Sequence, residues 1–149
     1  MNLSDIQLLY DYNYWANHLM LSKAANVTTE QLTEATGFPW GDLRRTLIHT
    51  LDAEHMWRNL CHDQRVPDPR LIDSKPFPTL DSIGQYWKLE ERAMRDYLNS
   101  LNDGDMESIV RYEVKEGVRE RVLWHCLVHV VNHGTQHRSE IAQMLTSFG

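Results

Sequence analysis

His129-Val130-Val131-Asn132-His133-Gly134-Thr135-Gln136-His137-Arg138 carries three histidines at four-residue intervals within a proline-free segment reaching Met144 and Leu145. On an α-helix a four-residue step turns about 40° and rises about 6 Å, so adjacent members of the series can present ring nitrogens to one point. The outer two, His129 and His137, then lie about 12 Å apart along the axis, too far to ligate one ion together. One adjacent pair remains, either His129 with His133 or His133 with His137, and spacing does not choose between them. His49, within Leu47-Ile48-His49-Thr50-Leu51, can supply a third ligand. Three imidazoles on one helix face leave several ring nitrogens in need of partners, at about 1–3 kcal/mol for each one unsatisfied, and a shared divalent ion satisfies them. The competing reading is a set of core histidines bonded to backbone or to one another. His18, His55, His62 and His125 have no comparable relation and are expected at surface or partly buried positions.

Outward from this segment the chain reads as helices. Ser4 with Gln7 forms a capping box before Ile6, Leu9, Tyr10, Asn13, Ala16, Leu19 and Met20, which predicts a helix over 4–25. Thr28 with Gln31 repeats the signature over a short helical segment that stops at Gly37-Phe38-Pro39. Leu43, Leu47, Thr50, Ala53, Met56, Trp57 and Leu60 draw an apolar stripe over 41–63, interrupted by His49. The prolines of 64–78 make that stretch a linker that is not helical throughout. A third long helix is expected over 79–101, capped by Thr79 and stopped by Asn102-Asp103-Gly104. Ile109 to Val114 alternates like a strand, and Lys115-Glu116-Gly117 turns it back into Val118-Arg119-Glu120 as a small β-hairpin. Val122 then opens the histidine-bearing helix. Four long helices predict an all-α fold, a single four-helix-bundle domain over 1–149 with a long connection after the second helix.

Composition sets the class of partner. With 149 residues, 42% hydrophobic and 24% charged, the chain matches an ordinary globular domain. A net charge of −6 without a cluster of Lys and Arg argues against a nucleic-acid partner. Cys61 and Cys126 are too few for a disulfide framework; buried thiols in the cytoplasm are expected. No apolar stretch reaches bilayer-spanning length and no basic region precedes an apolar run at the start, so neither a membrane nor secretion is expected.

Asp11-Tyr12-Asn13-Tyr14-Trp15-Ala16-Asn17, the stripe from Leu43 to Trp57, and Asn132 to Arg138 together resemble the DinB family, related to the YfiT-like metal-dependent hydrolases. The resemblance covers nearly the whole chain and is weakest in the proline-rich linker. It implies an up-down-down-up bundle in which His49, His133 and His137 bind one divalent ion, zinc or nickel, leaving His129 a supporting role. It also implies a homodimer. Characterised relatives include S-transferases and a maleylpyruvate isomerase that use low-molecular-weight thiols such as bacillithiol or mycothiol.

Three neutral imidazoles leave an ion's charge uncompensated and a coordination position open, the pattern of a catalytic site. Such a position suits either a small thiol, held as thiolate against an electrophilic small molecule, or a water for hydrolysis. Hydrolysis also needs a proton carrier, and no His-Glu-x-x-His motif provides one. Glu54 and Glu90 are read as solvated or ion-paired carboxylates, so thiol transfer is favoured, and no residue beyond the three ligands is assigned to the site. A metal-stabilised binding module linked to stress, without turnover, is the non-catalytic alternative. Trp15, Trp57 and Trp87 are expected to be buried, as core or pocket lining, and Arg138 to make a surface salt bridge in preference to orienting an anionic substrate or thiol carboxylate beside the neighbouring ligand. Gly134 costs a helix about 1 kcal/mol relative to alanine, which close packing or simple tolerance at an exposed position would explain.

Overall fold

The computed structural model describes residues 1–74 and 76–149; Lys75, within the expected linker, lies outside them. The order is α1 (Leu3–Ala24), α2 (Thr29–Thr33), α3 (Leu43–Asp63), α4 (Leu71–Ser74), α5 (Leu80–Asn99), a 3₁₀ turn (Asp103–Glu107), β1 (Ile109–Val114), β2 (Gly117–Val122) and α6 (Leu123–Phe148). Local chemistry fixes most boundaries. The Asn2 side chain accepts from the Asp5 amide at 2.8 Å, so α1 begins ahead of Ser4, whose hydroxyl donates to Asn2 instead. Thr28 with Gln31 and Thr79 with Ser82 are capping boxes, and Asp42 caps α3. The linker contains one short helical turn, α4, between its prolines. β1 and β2 pair antiparallel from Ile109 opposite Val122 to Val114 opposite Gly117, which adopts φ +119 where the chain reverses.

Contacts between helices give their directions. From α1 to α5, Gln7 meets Asn99, Asp11 meets Arg95 and His18 meets Glu91, so these helices run antiparallel. From α3 to α5, Glu54 meets Trp87, Arg58 meets Glu90 and Cys61 meets Tyr97, numbers rising together, so these run parallel. Likewise Tyr10 bonds Leu127 and Asn17 bonds Arg138, making α1 and α6 parallel, whereas Trp57 against His129 and His49 against His133 make α3 and α6 antiparallel. The result is an up-down-down-up four-helix bundle with a hairpin before its last helix. A parallel α3 and α5 require their connection to return along the bundle, which is why the linker is long.

The apolar core is divided. One cluster holds Tyr10, Tyr14, Leu60, Met94, Tyr97, Leu123 and Leu127, and it includes the free thiols Cys61 and Cys126. The other holds Leu43, Leu47, Leu51, Ile83, Trp87, Ile141 and Met144. Asn13, Asn17, Glu54 and Arg138, all buried, occupy the stretches of α1, α3 and α6 between the two. Among the described residues no helix is long and apolar enough to cross a membrane.

Candidate metal centre

α3 and α6 bring His49, His133 and His137 together. His49 Nε2 lies 3.1 Å from His133 Nε2, and His137 Nε2 lies 3.2 Å from the same atom. One ligand nitrogen from each residue falls within 4.8 Å of the others, the one such group among the described residues. His137 is buried and the other two are half-buried. Imidazole nitrogens about 2.0–2.1 Å from one ion stand about 3 Å apart, so these separations suit a shared cation.

The proton inventory points the same way. His137 Nδ1 lies 2.8 Å from Glu140 Oε2 and donates its proton there, which leaves Nε2 as a lone pair. His133 Nε2 faces both that lone pair and His49 Nε2, yet a neutral ring offers at most one proton at this atom. Both contacts therefore cannot be full hydrogen bonds, and a cation among the three would satisfy all three Nε2 atoms. Burial, reinforced by the neighbouring His137, holds His49 down at about 4. Burial and the adjacent histidines hold His133 down at about 4 as well. Both rings are neutral at neutral pH, the state a metal ligand requires.

His129 is exposed and outside the triad, its ring 4.9 Å from Trp57 and 6.0 Å from His133 between centroids. Over the triad, Trp40 stacks on His49 with centroids 3.8 Å apart and planes 18° from parallel. Neither Glu140 nor Trp40 was singled out in the sequence. His137 and Glu140 stand three residues apart on one face, a spacing from which their contact could be read. Trp40 comes from a loop with no periodicity to mark it.

Several expectations are corrected by burial. Glu54 is neither solvated nor ion-paired: it is 1% exposed and accepts from Asn13 Nδ2 at 2.9 Å, Asn17 Nδ2 at 2.8 Å and Trp87 Nε1 at 2.7 Å. Burial raises its pKa, and the three hydrogen bonds offset only part of that rise. Arg138 is not a surface ion pair but is buried, donating to Asn13 Oδ1 at 2.5 Å, Asn17 Oδ1 at 2.8 Å and Thr135 Oγ1 at 2.9 Å. Gly134 makes room for this network, since a Cβ there would stand 2.7 Å from Arg138 Nη1 and 2.9 Å from Asn13 Oδ1. Trp15 is 61% exposed, Trp57 is half-buried, and Trp87 alone of the three is buried. Glu90 is buried and ion-paired as expected, to Arg58 at 2.5 Å and His55 at 2.9 Å. His18, His62 and His125 are exposed and His55 half-buried.

Comparison with known proteins agrees with this architecture. The profile of the DinB family matches residues 1–149. Protein DinB of Bacillus subtilis (strain 168) is 22% identical over 151 residues, covering 95% of this chain and 84% of that protein. A bundle of this topology with a histidine triad between α3 and α6, matched over its full length, belongs to the DinB family.

Proposed function

We propose that this protein is a divalent-metal-dependent enzyme that transfers a low-molecular-weight thiol to an electrophilic small molecule, with His49, His133 and His137 as ligands to zinc or nickel. The observation that carries the reading is the triad itself: three imidazoles converge from two helices, those of His49 and His133 held neutral, with no fourth protein ligand in the group among the described residues. An ion bound there keeps its full charge and an open position, and so favours the deprotonated form of a thiol at neutral pH. Glu140 fixes the His137 ring so that its lone pair faces the centre. Trp40 covers the outer face of His49 and limits water at that side.

Support for thiol transfer over hydrolysis comes from how the nearby carboxylates are engaged. Glu54 accepts three side-chain donors, Glu90 is tied to Arg58 and His55, and Glu140 to His137. Hydrolysis calls for a free proton carrier, whereas attack by a thiolate does not. We further propose a homodimer formed on α1, where Leu8, Tyr12, Trp15 and Leu19 repeat at four- and three-residue spacing with relative exposures of 69%, 50%, 61% and 38%.

The deciding experiment incubates metal-loaded protein with a panel of small thiols and a generic electrophile, in parallel with chromogenic esters. Electrophile consumption that requires both thiol and metal is expected. Ester turnover without thiol would replace this reading by a hydrolase, and inactivity in both arms by a metal-stabilised binding module.

A further inference from the structure

Beside the triad lies a cavity of about 620 Å³ whose walls include Pro39, Trp40, Ile48 and Phe77, and whose charged residues among the described ones are Arg44 and Arg45. It shares a wall with the centre, because the Trp40 indole that lines it also stacks on His49. No carboxylate is among the described residues lining it. Arg45, largely exposed, reaches the capping Asp42 at 3.4 Å. Arg44 has no ion pair among the described residues, and its Nε is buried without a hydrogen-bond partner. A guanidinium is charged at every accessible pH and has no acceptor capacity, so Arg44, which lines the cavity without an ion pair among the described residues, has charge and further N–H donors to offer an acceptor from outside the chain. Both arginines sit in the first turn of α3, where the positive end of the helix dipole disfavours cations. Asp42 offsets that cost for Arg45, and no ion pair among the described residues offsets it for Arg44. A groove of about 520 Å³ between α1 and α5, lined by His18, Trp87 and Lys88 among others, includes none of the triad.

We propose that this cavity binds a small organic anion, its carboxylate or phosphate head on Arg44 and Arg45 and its apolar or aromatic body against Trp40 and Phe77. Presentation of that molecule to the metal centre rests on the function proposed above; the binding itself does not. Aromatic and proline walls supply apolar contact, and the two guanidinium groups supply charge-assisted hydrogen bonds that orient the head.

Isothermal titration of the full chain, metal-free and metal-loaded, with phenylacetate, phenyl phosphate and the neutral phenylacetamide tests this. At least one anion binds the metal-free protein, at least about tenfold more tightly than the amide, and whichever binds identifies the head group. Arg44→Gln weakens that anion at least about tenfold and Arg44→Lys less, because lysine keeps charge without the planar fork. Circular dichroism verifies folding, and Arg45→Gln, at an exposed position, provides a second reading of the same loss. No binding of either anion, equal binding of the amide, or unchanged affinity in both glutamine variants would overturn the proposal. Anion binding that depends on Arg44 without thiol-dependent turnover would leave the cavity standing and remove the transferase reading; turnover without anion binding would do the reverse.

Discussion

At the residue scale His133 is the centre of the triad, its Nε2 the atom that both other histidines face. His133→Ala is expected to abolish divalent-metal retention, measured as metal per chain after dialysis, while His129→Ala retains it. Equal losses in the two variants would mean that the wrong pair had been assigned. Glu140→Gln keeps the shape but not the charge opposite His137 Nδ1, and the loss of such an outer partner weakens metal affinity by about 10–100-fold. Full affinity in that variant would show that the ring needs no such anchor. Glu140 also shows why a ligand set is only partly legible in one dimension. His133 and His137 could be placed on one face from their spacing, but choosing them over His129 needed the family pattern. His49 joins them only because α3 and α6 run antiparallel.

At the element scale, helix spans and caps were the readable part. Capping residues and 3.6-residue periodicity located four long helices and the hairpin, with ends that moved by a few residues as at Asn2. α1 misled in one respect: Trp15, expected to be buried, faces outward, as does Leu19 of the expected apolar stripe, while Asn17 joins Asn13 on the inward face, so the helix's polarity is inverted at mid-length. That inversion has its cause in Glu54 and Arg138, on other helices, and no pattern within α1 reveals it. α6 is tuned to the same network through Gly134. Gly134→Ala gains about 1 kcal/mol of helix propensity, yet its methyl would displace an arginine pinned by three hydrogen bonds. Overpacking of this kind costs about 1–3 kcal/mol, so a net loss of stability is expected. Urea denaturation reads it, and a stabilised variant would show that the network yields freely.

At the scale of the whole molecule, Glu54 joins three helices, and its proton links stability to pH. Its carboxyl is raised by burial, so the folded chain holds that proton more tightly than the unfolded chain does. The associated stability is complete below the unfolded value of about 4.3 and is lost as pH rises through the raised folded value. Glu54→Gln cannot titrate and places an amide donor against donors, so it is less stable than the parent, by a margin that narrows from pH 5 to pH 8. A margin that widened over that range would show that Glu54 is held low rather than high. Assembly belongs to this scale too: light scattering should give a dimer for the parent chain and a monomer for Trp15→Glu, and a monomeric parent would remove the α1 interface. The polar layer has one more consequence. Because it parts the apolar packing into two clusters, each end of the bundle is a module that protein engineers can redesign by itself, repacking one end for thermal tolerance while the packing of the other is left as it is.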